Sequence, residues 1–362
     1  MRDSSPPLPP ATKGRGAIGS GLSARFDDKQ RERDGDWLDA RDEVDGEGPA
    51  LRTEVTIEHP KTIITRNRSP DIAFDRSINA YRGCEHGCIY CFARPTHAYH
   101  NLSPGLDFET KLFAKPQAAE LLRVELAKPA YACRPMAIGT NTDPYQPIEE
   151  RYEITRSILQ VLAEHDHPVM ITTKSARVIR DLDILAPMAA KGLATVALSV
   201  TTLDGALARI MEPRASAPAR RIAAIRALAE AGVPACVSVS PIIPAINDHE
   251  IEAIVDAAAD AGATTAFSIV VRLPHEVAPL FREWLAVHYP DRAAKVMMLI
   301  NGMRGGRDNN PDFFDRFRAE GAYAATLKAR FAIAVKRRGL NVDRLTLRTD
   351  LFKAPGQQLR LF

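Results

Sequence analysis

Between residues 135 and 271 short apolar runs alternate with amphipathic stretches at an even spacing, and few folds accommodate that pattern. Pro135 to Gly139, Val169 to Thr173, Leu193 to Thr201, Ala235 to Ser240 and Thr264 to Val271 read as strands. They are nearly continuous in apolar character, as expected when both faces of a sheet are covered. Between them apolar residues recur at helical spacing: Ile154, Ile158, Val161 and Leu162; Ile179, Leu182 and Leu185; Ile222, Ile225 and Leu228; Ile251, Ile254 and Val255. Gly232 and Pro234 stop the third of these helices, and Asn247 with Glu250 predicts a capping box for the fourth. Upstream, Ser77 to Tyr81 reads as one more strand, and Pro116 to Lys128 as a helix on Ala119, Leu122 and Leu126. Six β–α units imply a parallel sheet with right-handed crossovers. Six is two short of a closed eight-stranded barrel, so the expectation is α/β, a partial (β/α)6 barrel. Its working side chains belong at the C-terminal ends of the strands.

The flanks are different. Residues 1–52 are rich in Pro, Gly and mixed charge without apolar periodicity, which predicts a disordered arm. The barrel with its lead-in occupies 53–275, and 276–350 reads as a C-terminal α/β extension. Within that extension Glu276 to His288 reads as a helix, Lys295 to Ile300 as an apolar strand, and Tyr323 to Arg338 as a helix. Residues 301–311 form a polar, Gly-rich stretch suited to a lid or substrate loop. A flexible tail, 351–362, follows. With a net charge of +3, electrostatics alone call for neither nucleic acid nor membrane. No apolar run reaches the roughly 18 residues of a membrane span, and Met1 to Pro7 has no apolar signal region. The expected location is the cytoplasm.

Chemistry concentrates at Arg82-Gly83-Cys84-Glu85-His86-Gly87-Cys88-Ile89-Tyr90-Cys91-Phe92, which holds three of the five cysteines in the spacing C-x3-C-x2-C. An odd cysteine count with three crowded together argues against a disulfide framework and for metal chemistry. A closed zinc site needs four ligands, and no second C-x2-C exists; His86, His97 or His100 would have to complete it. An iron–sulfur cluster held by three thiolates instead leaves one iron open to a small molecule. On residue types alone both readings stand. Cys133 and Cys236, isolated beside strands, read as core residues.

C-x3-C-x2-C with an aromatic before its last cysteine, at the end of a first strand and ahead of a β–α array, resembles the radical SAM family over about residues 75–275. The resemblance implies a [4Fe-4S] cluster on Cys84, Cys88 and Cys91, with S-adenosylmethionine as cofactor. It also implies reductive cleavage of that cofactor to a 5′-deoxyadenosyl radical, which takes hydrogen from a substrate. A reductant such as flavodoxin or ferredoxin is the implied partner. Tyr90 is placed near the adenine, and Asn141 or Asp143 at the cofactor's ammonium. Ser199, Thr201 and Ser240 fall to its ribose, and Arg214 to its carboxylate.

Within that family the chain is most similar to the spore photoproduct lyase group. The likeness rests on Tyr81-Arg82-Gly83-Cys84, Leu106-Asp107-Phe108-Glu109-Thr110-Lys111 and Thr140-Asn141-Thr142-Asp143. It implies action on a DNA lesion or modified base, in the manner of a repair lyase. Those lyases return hydrogen from a cysteine at the second strand; here that place reads Thr140-Asn141, with Cys133 upstream. The last residues, Gln358-Leu359-Arg360-Leu361-Phe362, resemble the peptide by which bacterial repair proteins dock on the sliding clamp. Two other readings stay open. One is radical modification of tRNA or a protein side chain; the other is a non-enzymatic DNA- or clamp-associated protein with a structural metal.

Overall fold

The structure, a computed structural model, describes residues 11–21, 23, 25, 52–343 and 345–356. Its strands, in chain order, are β1 (Glu54–Ile57), β2 (Ile64–Arg66), β3 (Arg76–Ile78), β4 (Tyr81–Arg82), β5 (Lys111–Ala114), β6 (Met136–Ile138), β7 (Val169–Thr173), β8 (Ala194–Ser199), β9 (Ala235–Ile242) and β10 (Thr265–Val270). β3, β6, β7, β8, β9 and β10 lie side by side in sequence order, every neighbouring pair parallel. β2 adds to the outer edge, antiparallel to β3. A small second sheet joins β1, β5 and β4 beside the end of β3. This is the expected partial (β/α)6 barrel, with its helices on the outside.

The barrel holds because alternate layers bury the same apolar positions that define the sequence pattern. Ile138, Ile171, Val196, Leu198 and Val237 in the strands meet Leu122, Ile158, Leu162, Leu185, Ile225, Leu228 and Ile254 from the helices, all buried in one cluster. Full burial of each such side chain is worth about 1.5–3 kcal/mol. At the C-terminal end of β6 the chain turns at Gly139, with φ at +91°. A Cβ there would collide with the carbonyl oxygen of Thr172 in β7, so only glycine lets the Thr140–Asp143 turn sit over the strand ends.

Three expectations are corrected. Lys295–Ile300 is part of the helix Pro290–Gly302, so the C-terminal extension is helical among the described residues. Its buried residues are Val296, Met297 and Ile300, a helical face, whereas Met298 is exposed. The capping box does not form. Asn247 accepts from the Ile243 N–H (2.6 Å) and donates to Thr201 O (2.7 Å), while Glu250 accepts from the Leu203 N–H (2.7 Å). Both residues tie the loop after β8 to the loop after β9. The cationic helix Gly321–Arg337 uses its charges internally, pairing Arg330 with Glu252 (2.6 Å) and Arg337 with Asp256 (2.7 Å). Finally, residues 11–21 of the arm are packed on the protein, with Ala17 and Ile18 buried. The clamp-like peptide, Gln358, Leu359, Leu361 and Phe362, lies outside the described residues.

The edge of β10 is closed by a side chain. Asn341 donates to Ala266 O (2.8 Å) and accepts from Ala266 N–H (2.8 Å), standing in for a neighbouring strand. No helix among the described residues is long and apolar enough to cross a membrane.

Candidate functional site

The cysteine loop leaves β4 and folds back over the C-terminal ends of the barrel strands. Its backbone is pinned at Cys84, whose N–H donates to Phe108 O (2.9 Å), and at Ile89, whose N–H donates to Met211 O (3.1 Å). Arg94 organises the remainder from beneath. It donates to the carbonyls of Cys88 (2.9 Å), Gly87 (3.1 Å), Pro104 (3.1 Å) and Gly105 (3.0 Å). Its charge is met by Glu109 at 2.5 Å, and neither side chain is exposed at all. Glu109 is also where the arm attaches, accepting the N–H groups of Gly16 (3.0 Å) and Ala17 (2.9 Å). Arg15 donates to the Glu109 carbonyl (2.9 Å). Gly16 lies so close to the loop that a Cβ would run into Gly87 O.

Cys84 and Cys88 are buried, and Cys91 is partly so. Burial, with Asp143 and the neighbouring cysteines, pushes the Cys84 thiol well up; burial pushes Cys88 up to about 12, against the pull of Lys174. Buried thiols in that state are neutral until a metal takes their protons. The three histidines turn elsewhere. His97 bonds Lys111 O (2.8 Å) and packs on Phe108, His100 stacks near Phe113 (4.8 Å), and His86 faces Asp143 (3.4 Å). Among the described residues no three His, Cys, Asp or Glu side chains meet closely enough to share one metal ion. A single zinc would need four such ligands at one point, whereas thiolates on a cluster bind separate irons and need not meet there.

Around the loop stand the strand ends. Asp143 is fully used: Oδ1 accepts from Tyr145 N–H (2.9 Å) and the Thr173 hydroxyl (2.7 Å), and Oδ2 from Lys174 N–H (2.7 Å). Burial works against its charge, but His86 and these donors hold its pKa down to about 2. Asn141, two residues earlier, donates its backbone N–H to Asn79 Oδ1 (3.0 Å), and among the described residues no hydrogen-bond partner engages its side-chain amide. Thr201 donates to Glu212 (2.8 Å), and the Tyr90 hydroxyl donates to the same carboxylate. Glu212 is in turn paired with the buried Arg221, which also holds Ser199 O (2.9 Å). Arg214 is paired with Glu85 at 3.1 Å. Asp143, Thr201 and Arg214 thus reach the site, but with their polar groups engaged by the protein.

Two polar atoms at this end are buried without a hydrogen bond, Glu85 Oε2 and Ser240 Oγ at the end of β9, while His86 Nδ1 has only the Asp143 carboxylate at 3.4 Å. Each costs the fold desolvation that a bound polar ligand would repay. Lys174, immediately after β7, holds its ammonium 5.7 Å from the Tyr90 ring centroid. Burial opposes its charge, yet Cys88, Glu212 and Asp143 together raise its pKa. Arg94, Lys174, Glu212 and Arg221 each stand as a single charged residue with no spacing signal of its own, and Glu109 lay inside Leu106-Asp107-Phe108-Glu109-Thr110-Lys111 with no role assigned to it. Only Glu212, in Glu212-Pro213-Arg214, stood beside a candidate. Cys133 precedes β6 and Cys236 opens β9, so both lie at the N-terminal end of the sheet, away from the loop.

The sequence model of the radical SAM superfamily matches residues 78–258, from the end of β3 through the helix that follows β9. The chain belongs to the radical SAM superfamily. An uncharacterised protein of Mycobacterium tuberculosis is 37% identical over 234 residues, covering 63% of this chain and 69% of that protein. An uncharacterised protein of Methanocaldococcus jannaschii is 29% identical over 48% of this chain and 62% of that one. Among solved structures, spore photoproduct lyase complexed with dinucleoside spore photoproduct superposes with a TM-score of 0.56. It shares 15% identity over 79% of this chain and 80% of that one, which is a likeness of fold. A variant of the same lyase with bound AdoMet and dinucleoside spore photoproduct gives 0.53.

Radical SAM enzymes use a [4Fe-4S] cluster and S-adenosylmethionine, and a reductant supplies the electron. The residues present fit that pair. Three cysteines on a pinned loop, no histidine turned toward them, and unsatisfied polar atoms at the adjoining strand ends form a donor set for a cluster with an adjacent polar ligand.

Proposed function

We propose that this radical SAM enzyme acts on a DNA lesion or modified base, with Cys84, Cys88 and Cys91 holding the cluster. The observation that carries the enzyme reading is the pinned three-cysteine loop set against partnerless buried polar groups at the strand ends. Cluster and S-adenosylmethionine together supply reductive cleavage of a carbon–sulfur bond and a 5′-deoxyadenosyl radical that takes hydrogen from the substrate. The chain's own residues bind, orient and exclude water.

Lys174 is assigned to the cofactor's carboxylate in place of Arg214, the residue implied by the family resemblance, whose guanidinium is engaged with Glu85. Asn141 is assigned to the ammonium through its available amide, in preference to Asp143, whose oxygens already accept from Tyr145, Thr173 and Lys174. Ser240 and Ser199 are assigned to the ribose, and Tyr90 to the adenine, held in place by its bond to Glu212. Thr201 acts at one remove, steadying Glu212.

The DNA reading rests on the shared fold with a lyase whose solved complex contains a dinucleoside lesion. Thymine-dimer splitting with hydrogen returned from Cys133 is not the reading: Cys133 lies at the opposite end of the sheet. The test is anaerobic reconstitution, reduction with dithionite, and quantification of 5′-deoxyadenosine with and without damaged DNA carrying deuterium. Formation of 5′-deoxyadenosine, with deuterium entering it from the DNA, is expected. No 5′-deoxyadenosine from a fully loaded cluster would sink the enzyme reading; product without label transfer would sink the DNA reading alone.

A further inference from the structure

Beyond the cysteine loop, the C-terminal face carries an alternating row of rings and guanidinium groups that none of the cofactor contacts uses. Phe92, next to Cys91, is 50% exposed. The Arg272 guanidinium, two residues past β10, lies 5.4 Å from the Phe92 ring centroid and 4.5 Å from that of Phe317. Arg316 follows, 5.1 Å from Phe317 and 5.0 Å from Phe313. The order is therefore Phe92, Arg272, Phe317, Arg316, Phe313, running outward from the cluster ligand. Phe313 and the adjoining Phe314 are each 53% exposed.

The charges along the row are uneven. Arg316 is paired with Asp71 at 2.6 Å, but no carboxylate among the described residues pairs with Arg272. Arg304 lies underneath and spends its guanidinium on the carbonyls of Val270 (3.1 Å) and Val271 (2.8 Å), at the end of β10. Three arginines thus share one carboxylate, and burial with the other two arginines depresses the pKa of Arg272 to about 10. Asp312 and Asp315 are exposed on the same loop and pair with none of the three. The bonds from Arg304 also fix the loop carrying Phe313, Phe314 and Phe317 to the barrel's C-terminal end, so the row is a built surface.

We propose that this row is the substrate platform of the enzyme: unstacked DNA bases lie on Phe92, Phe313 and Phe314, and a phosphate sits on Arg272. The proposal rests on the DNA reading above and names the form in which the DNA arrives, single-stranded with its bases unstacked. Every base presents a π-face to an aromatic ring, which makes such stacking tolerant of sequence. A cation without a carboxylate partner, already flanked by rings, supplies the phosphate contact that a purely apolar patch lacks. A protein occupant would be expected to bring its own carboxylate to Arg272; a duplex would keep its bases stacked and inaccessible to Phe92.

The experiment uses the full-length, reconstituted enzyme and fluorescence anisotropy with a labelled single-stranded DNA oligonucleotide of mixed sequence. The same sequence as duplex, as RNA, and an apolar acidic peptide are the comparison probes. Single-stranded DNA is expected to bind tightest, with Phe313→Ala and Arg272→Gln each weakening it about tenfold. Arg272→Gln should also reduce the dependence of log affinity on log salt by about 0.7, one phosphate contact on a single strand. Arg272→Lys should keep the salt term while losing part of the affinity, because ammonium does not stack as guanidinium does. Circular dichroism and iron content of each variant establish that it is folded and loaded. Wild-type affinity in both Phe313→Ala and Arg272→Gln would overturn the proposal, as would a preference for duplex, RNA or peptide. Wild-type enzyme that forms 5′-deoxyadenosine but ignores DNA would sink the platform and leave the radical chemistry standing. Wild-type enzyme that binds single-stranded DNA through the row but forms no 5′-deoxyadenosine would do the reverse.

Discussion

Replacing Glu109 with Gln tests the load on a single buried carboxylate. Glu109 and Arg94 have no exposed surface, and their pairing at 2.5 Å is the one charge contact Arg94 makes while its other hydrogens hold four carbonyls of the cysteine loop. Breaking a buried pair by removing one partner costs about 3–5 kcal/mol, since the remaining charge stays desolvated. Glutamine keeps one acceptor oxygen but turns an NH2 group toward the Gly16 N–H, the Ala17 N–H or Arg94, setting donor against donor. We expect the full 3–5 kcal/mol, which at a urea slope of ~3 kcal/mol per M lowers the midpoint by about 1–1.7 M. Anaerobic urea unfolding of wild type, Glu109→Gln and the exposed control Glu54→Gln makes the comparison, with iron per chain measured on each. A loss below about 1 kcal/mol would refute the reasoning, because the carbonyl bonds of Arg94 would then suffice without its counter-charge.

Cys88→Ala should lower iron and sulfide to background after reconstitution, measured per chain, since two thiolates do not hold the same site; a full cluster in that variant would remove Cys88 from the ligand set. His167 offers a pH test away from the site. Burial holds its pKa down to about 4, with Nε2 accepting from the Tyr131 hydroxyl (2.7 Å) and Nδ1 donating to Pro168 O (3.0 Å). The unfolded chain takes up this proton near pH 6.5, before the folded one does. Stability from this residue is therefore whole above about pH 6.5 and falls by about 3 kcal/mol as pH drops toward 4. Urea midpoints of wild type and His167→Gln across that range should converge as pH falls; parallel curves would show that His167 carries none of the dependence.

The barrel was legible because its strands bury both faces and its helices one, so hydropathy alone writes the alternation. Lys295–Ile300 misled for the same reason: its five consecutive apolar residues, 296–300, read equally as a buried strand or as part of a helix, and Pro290 at the first turn was the deciding signal. The cysteines were legible from local spacing. Long-range pairs leave no such trace: Glu109 with Arg94, Glu212 with Arg221, and Lys174 above Tyr90 are made by the fold. Asp143 follows β6 and Arg214 follows the helix Gly205–Met211, yet type and position do not reveal that another residue already holds each charge. The arm was missed because it docks through backbone N–H groups and the missing Cβ of Gly16, contacts to which apolar periodicity is blind.

That arm has a consequence for how the enzyme is assembled. Gly16 is synthesised 93 residues ahead of Glu109, so its anchoring site does not exist until the cysteine loop itself has been made. The Gly16–Gly87 backbone contact that braces the loop therefore closes only after the loop has emerged. An affinity tag fused ahead of residue 11 would sit within a few residues of that contact, and recombinant enzyme for cluster work is better tagged elsewhere.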